Sequence, residues 1–174
     1  MAEETETERN ERLRTAFWTA LDDSPFVMLG LAGVEDSRTR PMTAQVDSDG
    51  DAKDGGQVYF FGAKSESLVQ AIGSTHRAVA TYTSKDHKVF AHIHGDLVLD
   101  QDRAVIDRLW NPIIASWYEG GRDDPDLALI RFDTEQADIW EAQTGATLKA
   151  ALVRMLGRDP GKDEQRKNQA EVAL

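Results

Sequence analysis

Two short stretches of the chain hold the residue types from which a phosphate site is built. Positions 38–45 read Arg-Thr-Arg-Pro-Met-Thr-Ala-Gln, and positions 57–67 read Gln-Val-Tyr-Phe-Phe-Gly-Ala-Lys-Ser-Glu-Ser. The guanidinium of Arg40 offers paired, charge-assisted hydrogen bonds to phosphate oxygens, and Pro41 stiffens the backbone beside it. Lys64 follows Gly62 and Ala63, whose small side chains let a ligand approach the main chain. Exposed amides where strands end add further donors, while Met42 and Phe61 supply an apolar wall for a flat ring. The combination points to a phosphorylated aromatic cofactor. Each residue also has a plainer reading, since Arg40 and Lys64 can be solvated edge and loop cations. Met42, Tyr59, Phe60 and Phe61 can likewise be ordinary core.

These residues need strands to place them. Gln57–Phe61 and the segment 38–46 have β-rich composition and are separated by a hydrophilic loop over 47–56. Strand alternation sends Phe60 and Phe61 to opposite faces, so only one of the two can meet a given pocket. Before them, residues 8–22 carry Leu13, Phe17 and Leu21 on one helical stripe, and the apolar run 26–34 reads as a buried strand. After them, Ser65 or Ser67 is placed to cap a short helix over 68–72, and 77–83 and 88–99 alternate as strands. Asp100 and Asp102 favour a helix bearing Val105, Leu109, Ile113 and Trp117, which Pro112 kinks or splits. Leu127–Asp133 and Ala137–Glu141 read as two more strands joined by a turn. A last helix is expected over 147–156. The pattern predicts one mainly β domain over 8–157, an antiparallel barrel with peripheral helices, and flexible termini at 1–7 and 158–174.

Composition narrows the function. The net charge of −11 argues against nucleic acid or an anionic membrane surface as partner. Between positions 38 and 95, seven Lys and Arg stand against six Asp and Glu, so this middle segment repels an anion least. With no cysteine, disulfides, thiolate metal sites and cysteine nucleophiles are excluded. No run approaches the roughly 20 apolar residues that span a bilayer, and the acidic N-terminus is unlike a secretory signal, so the expected location is cytoplasmic. His92 and His94 share a strand face, a spacing that can hold metal, but no third ligand is evident and the expectation is no metal. Trp110, Trp117 and Trp140 suit ligand walls or subunit contacts, with packing under the helix favoured for Trp110 and Trp117. Walker loops, nucleophile elbows and zincin helices are absent from the sequence, so hydrolase and kinase chemistry have no support.

Taken in order, Arg40-Pro-Met-Thr43, Val58-Tyr-Phe-Phe61 with Lys64, Leu109-Trp-Asn-Pro112 with Trp117, Asp123 to Leu129 and Ala137-Asp-Ile-Trp140 resemble a known family. It is the FMN-binding split-barrel proteins related to pyridoxamine 5'-phosphate oxidase, in their general-stress-protein branch. The resemblance runs from about Phe17 to Gly145. It implies a six-stranded antiparallel split barrel that forms a homodimer, with FMN at the subunit interface. It also implies that Arg40, Pro41, Met42 and Thr43 run along the flavin, with Arg40 at the phosphate or ribityl chain. Phe61 and Gly62 would cradle the cofactor, Lys64 would help neutralise the phosphate, and the partner subunit's Trp140 would lie near the ring. The sequence departs from the family at Gly62 and Ala63, where Thr or Ser is common, and at Leu68, where a second lysine is common. Main-chain amides or Arg77 would have to compensate. The C-terminal arginine–histidine signature of true pyridoxamine phosphate oxidases is missing. The resemblance thus implies an FMN-dependent oxidoreductase of unknown substrate and electron donor, with no catalytic residue singled out. The alternatives are a non-catalytic flavin-binding stress module and an oxidoreductase of the same fold using deazaflavin or haem.

Overall fold

Alternating apolar residues through the middle of the chain demand a sheet with one buried face, and a sheet this long must curl to bury it. The computed structural model describes residues 4–34, 38–48, 55–142 and 168–174. Helix α1 (Glu6–Asp23) opens with a capping box in which Thr5 and Glu8 satisfy each other's backbone amides. Its stripe of Leu13, Phe17, Trp18 and Leu21 is buried. Strands β1 (Phe26–Leu31), β2 (Arg40–Thr43), β3 (Gln45–Asp47) and β4 (Gln57–Ala63) follow, then helix α2 (Ser67–Ile72). Strands β5 (Thr75–Thr83) and β6 (Val89–Asp100) lead to helices α3 (Arg103–Leu109) and α4 (Pro112–Ala115), and β7 (Leu127–Glu141) and β8 (Gln169–Ala173) complete the order.

Every ladder is antiparallel. The sheet runs β2-β1-β5-β6-β7-β4-β3, with β8 added against β7. Its two ends, β2 and β3, are neighbours in the chain and separated only by Ala44. The sheet therefore curls into a half-barrel until β2 on β1 and β3 on β4 come together. Inside it lie Leu29, Ala80, Ile93, Leu97, Ile130, Phe132 and Ile139, all but inaccessible to water. Against them α1 places Phe17, whose ring meets Tyr82 edge-on at 5.7 Å.

The structure departs from the sequence reading in several places, each for a physical reason. Among the described residues there are eight strands rather than six, because the segment 40–47 divides at Ala44 and the C-terminal end adds a strand. Residues 127–141 form one continuous strand of 15 residues, not two. The polar run Asp133–Gln136 stays in the sheet because it pairs with β6, with the register shifting between His94 and Gly95. A Cβ at Gly95 would stand 2.3 Å from the Asp133 carbonyl oxygen, so only glycine allows this approach. The end of the expected mobile tail is the strand β8, which buries Ala170 and Val172 against the core. At the other end, Glu6 and Thr7 are already helical. Neither Ser65 nor Ser67 caps α2: its N-cap is Glu66, which makes no side-chain cap. The helix expected over 147–156 lies outside the described residues.

Candidate functional site

Among the described residues, 40–43 pair only with β1, and 61–63 of β4 pair only with β7. Between these two strand ends the barrel wall is parted, and among the described residues the facing edges of β2 and β4 have no ladder partner. Unladdered backbone must find other hydrogen-bonding company. A cavity of about 660 Å³ opens along this parting, within the range of small-molecule sites. Pro41, Met42 and Thr43 wall one side, Phe61 and Gly62 another, and α4 with its following residues supplies Ile113, Trp117 and Tyr118.

The third wall is held by two long-range contacts. Asn111 caps α4 by accepting the amides of Ile113 and Ile114 at 3.0 Å each, and its amide donates to Gln45 Oε1 at 3.4 Å. Pro112 follows as the first helical residue, which is why α3 and α4 are separate. At the other end of α4 the Tyr118 hydroxyl donates to the Gly62 carbonyl at 2.8 Å, occupying part of the otherwise unladdered edge of β4. Burial, then the nearby carboxylates of Glu66, Asp124 and Asp126, push this phenol up to about 12, so at neutral pH it is a donor. Neither Asn111 nor Tyr118 was singled out by sequence. Pro112 is read from sequence as kinking or splitting a helix, without Asn111 as the cap of a new one, and nothing local indicates that Tyr118 reaches Gly62.

Five of the residues singled out by sequence come together here: Pro41, Met42, Thr43, Phe61 and Gly62 all line the cavity. Phe61 does so while Phe60 is buried in the core, as alternation requires. Arg40 stands at the end of β2 beside the cavity, its Nη1 donating to Glu66 Oε2 at 3.0 Å and its Nη2 to Ser67 Oγ at 3.2 Å. Glu66 itself is part of the wall. Lys64 sits outside the lining: its Nζ donates to the Pro125 carbonyl at 2.9 Å. Trp140 is on the far half of β7, opposite Phe90 of β6 and Gln169 of β8, away from this cavity.

The positions that depart from the family pattern have definite surroundings. Gly62 is buried, and a Cβ added there would meet Val69 and Ile130 at 3.3 and 3.4 Å, so that position faces the core. Leu68 is a core residue too. Arg77 lies outside the cavity lining, with its guanidinium paired with Glu135 at 2.8 Å and Asp96 at 3.6 Å. Trp117, expected to pack, is 79% exposed, and Ile113 is 73% exposed. Trp110 does pack, edge-on to Phe61 at 6.1 Å and beside Tyr118 at 6.0 Å. His92 and His94 lie with ring centroids 4.6 Å apart, and among the described residues no group of three or more His, Cys, Asp or Glu is arranged to hold a metal. No helix among the described residues is long and apolar enough to cross a membrane.

The whole is similar to proteins of known type. A family model described as "Pyridoxamine 5'-phosphate oxidase like" matches residues 13–158. No curated protein matches the chain. Among solved structures, a protein from Xanthomonas campestris pv. campestris ascribed to a general stress family is 46% identical, with a TM-score of 0.71 over 83% of this chain and 92% of that one. The general stress FMN/FAD binding protein from Xanthomonas citri is also 46% identical, with a TM-score of 0.70 over 77% of this chain and 92% of its own. A protein from Jannaschia sp. CCS1 ascribed to general stress protein 26 is 26% identical, with a TM-score of 0.72 over 94% and 99% of the two chains.

Proposed function

The chain belongs to the pyridoxamine 5'-phosphate oxidase-like family, and from that premise we propose that it is a homodimeric flavoprotein of the general stress type that binds FMN and acts as a flavin-dependent oxidoreductase. The observation that carries this reading is the parting of the barrel wall between β2 and β4. Strand edges without ladder partners, an apolar flank from Met42 and Phe61, and the Arg40 guanidinium beside the same cavity form a donor set that fits a flat ring bearing a phosphate tail. The similarity to an FMN/FAD binding protein from Xanthomonas citri supports it.

When bound, the flavin supplies the electron or hydride chemistry. The chain's own residues bind and orient. Arg40 would hold the phosphate, exchanging part of its pairing with Glu66 for the new anion. The backbone of Pro41–Thr43 would meet the polar edge of the ring, and Phe61 with Gly62 would bound it on the β4 side. Tyr118 keeps α4 in place over the site through its bond to Gly62 and helps exclude water. Lys64, exposed and within three residues of Ser67, would add positive potential near the phosphate.

The dimer rests on the outer face of the sheet. Phe26 is 63% exposed, and Met28 and Phe90 are also exposed. Register places Phe26 beside Thr43, Met28 between Pro41 and Thr81, and Phe90 between Thr83 and Trp140. This forms an apolar band on one face, continuous with the rim of the cavity. A second copy packed there would cover the band, and in that arrangement the partner subunit's Trp140 would approach the Pro41–Thr43 rim.

A non-catalytic flavin-binding module is the second reading. What favours it is that, of the acid and base groups among the described residues lining the cavity, Glu66 is paired with Arg40 and Tyr118 is committed to Gly62 with its phenol far above neutrality, which leaves Asp22. Haem is less well served, since no histidine lines the cavity among the described residues. Purification tests the proposal. The protein should be yellow, release FMN on heating and sediment as a dimer; turnover with a nicotinamide donor and an acceptor separates the enzyme from the module. A colourless protein that takes up no FMN overturns the flavin reading.

A further inference from the structure

Two large apolar side chains project into solvent from the same short helical turn and its end. Ile113 and Trp117 are four residues apart, so they share one face, and both line the cavity. Neither is needed by the flavin assignment, which draws on β2, β4 and Arg40. The neighbouring helix face is satisfied: Ile114 is buried, and Tyr118 is bonded to Gly62. Exposing an indole and an isoleucine together in a cavity wall costs solvation that a structural role would avoid. An exposed indole facing a cleft is a stacking surface.

The charge around this wall is one-sided. Among the described residues that line the cavity, the carboxyl groups are Asp22 and Glu66, and none is Lys, Arg or His. Asp22 comes from the end of α1 and enters the lining with Leu21, Pro25 and Ala44. Ala44 is four strand positions from Arg40, about 13 Å along an extended chain. An anion is therefore welcome only at the Arg40 end.

We propose that Ile113 and Trp117, with Asp22, form a second subsite of this cavity that takes an uncharged or cationic planar aromatic molecule and disfavours an anionic one. This rests on the flavin reading, because it assigns the rest of the cavity to FMN. The bound molecule would be the flavin's redox partner or an inhibitor of access to it, and in either case its recognition is by stacking and charge rather than by a phosphate clamp.

The test titrates the FMN-loaded protein with three planar probes of similar size: menadione, a phenothiazinium dye and an anthraquinone sulfonate. Binding is read by tryptophan quenching and by perturbation of the flavin spectrum. The first two should bind, the cationic dye more tightly than menadione because of Asp22, and the sulfonate should bind at least ~10-fold more weakly than either. Trp117→Ala should weaken menadione and the dye by roughly 10-fold while leaving FMN content unchanged. Asp22→Asn should remove the preference for the dye over menadione and leave menadione alone. Equal or tighter binding of the sulfonate overturns the proposal. So does loss of FMN in Trp117→Ala, which would make the indole part of the flavin site. Unchanged probe binding in that variant together with conversion of dimer to monomer also overturns it, by assigning Trp117 to the subunit contact. A wild-type protein that takes up no FMN overturns the flavin reading instead, and the same titration of the apoprotein then decides whether Trp117 stacks an aromatic ring.

Discussion

The sheet is closed along β5, β6 and β7 and parted between β2 and β4, and the two regions handle their polar groups in opposite ways. On the closed side, β6 is paired along both edges, and its Leu97 and the opposite Phe132 of β7 are sealed in the core. Its arginine is immobilised: Arg131 reaches Asp133 at 2.7 Å and Asp100 at 2.9 Å, contacts that together raise its pKa. At the parting, strand edges lack partners, and Arg40 holds one carboxylate and one hydroxyl at the margin of a cavity. A guanidinium bound by two carboxylates has little left to give a ligand. One bound by a single exposed carboxylate can exchange it at small cost. Stability therefore resides on the closed side, and the parting is where binding can occur.

If that division holds, substitutions on the two sides should separate stability from cofactor affinity. Phe132→Ala removes a fully buried ring that lies 6.3 Å from Phe60, and should cost about 3–5 kcal/mol in urea unfolding. Any FMN still bound by the folded fraction should retain near-normal affinity. Arg40→Ala should do the reverse. Loss of a charge-assisted contact worth about 1.5–3 kcal/mol predicts roughly 10- to 100-fold weaker FMN binding by fluorescence titration. Its exposed pairing with Glu66 predicts a change in unfolding free energy of no more than about 0.5 kcal/mol. Equal effects of both variants on both measurements would erase the distinction between the regions.

Tyr118 holds α4 against β4 at the parting, and its effect should be smaller. Tyr118→Phe deletes the bond to the Gly62 carbonyl, for about 1 kcal/mol at neutral pH. The phenol is held up near 12 by burial first and by nearby carboxylates second, whereas an unfolded tyrosine titrates near 10. The folded form thus keeps its proton after the unfolded chain has lost it. This contribution is complete below pH 10 and disappears as pH rises through 12. Tyr82, also raised to about 12 by burial, gives a parallel fall of its own. Urea unfolding between pH 9 and 12 should therefore show a shallower alkaline loss in Tyr118→Phe than in the parent; superimposed slopes would remove Tyr118 from the account.

What could be read from sequence was what is local. The 3.6-residue stripe of α1 and the alternation of β6 each follow from burying one face, and both elements formed where their patterns placed them. The segments of β2 and β4 that wall the cavity were legible too, because Arg40–Thr43 and Phe61–Gly62 combine strand chemistry with residues suited to a ligand. What was missed depends on partners distant in sequence. Asp133–Gln136 looks like a turn until Gly95 is placed across from it. Ala170, Val172 and Leu174 alternate, but the signal is short and follows a charged stretch, so only pairing with β7 reveals it as a strand. The α4 wall depends on Asn111 meeting Gln45 and Tyr118 meeting Gly62, contacts separated by 66 and 56 positions. Trp117 had the signature of a packing residue, and its neighbour Tyr118 took that place.

The smallest predicted effect tests the site most directly. Glu66 holds the Arg40 guanidinium at 3.0 Å and also forms part of the cavity wall, so it opposes an incoming phosphate twice. It occupies one of the cation's donors, and it places a like charge near the anion. Glu66→Gln leaves the shape almost unchanged and removes both effects. An exposed pair is worth about 0.2–1 kcal/mol, so FMN should bind roughly two- to fivefold more tightly in the variant. The gain should shrink as salt is raised from 50 mM to 500 mM, because the interaction is screened over a Debye length that falls through about 10 Å near 0.1 M. Arg40→Ala with Glu66→Gln supplies the control: once the guanidinium is gone, the amide should give a smaller gain, from the relieved repulsion alone. An Arg40 that merely faced water would make the gain from Glu66→Gln the same small one with the guanidinium present or removed, and the affinity for the cofactor would then have to come from the strand edges without it.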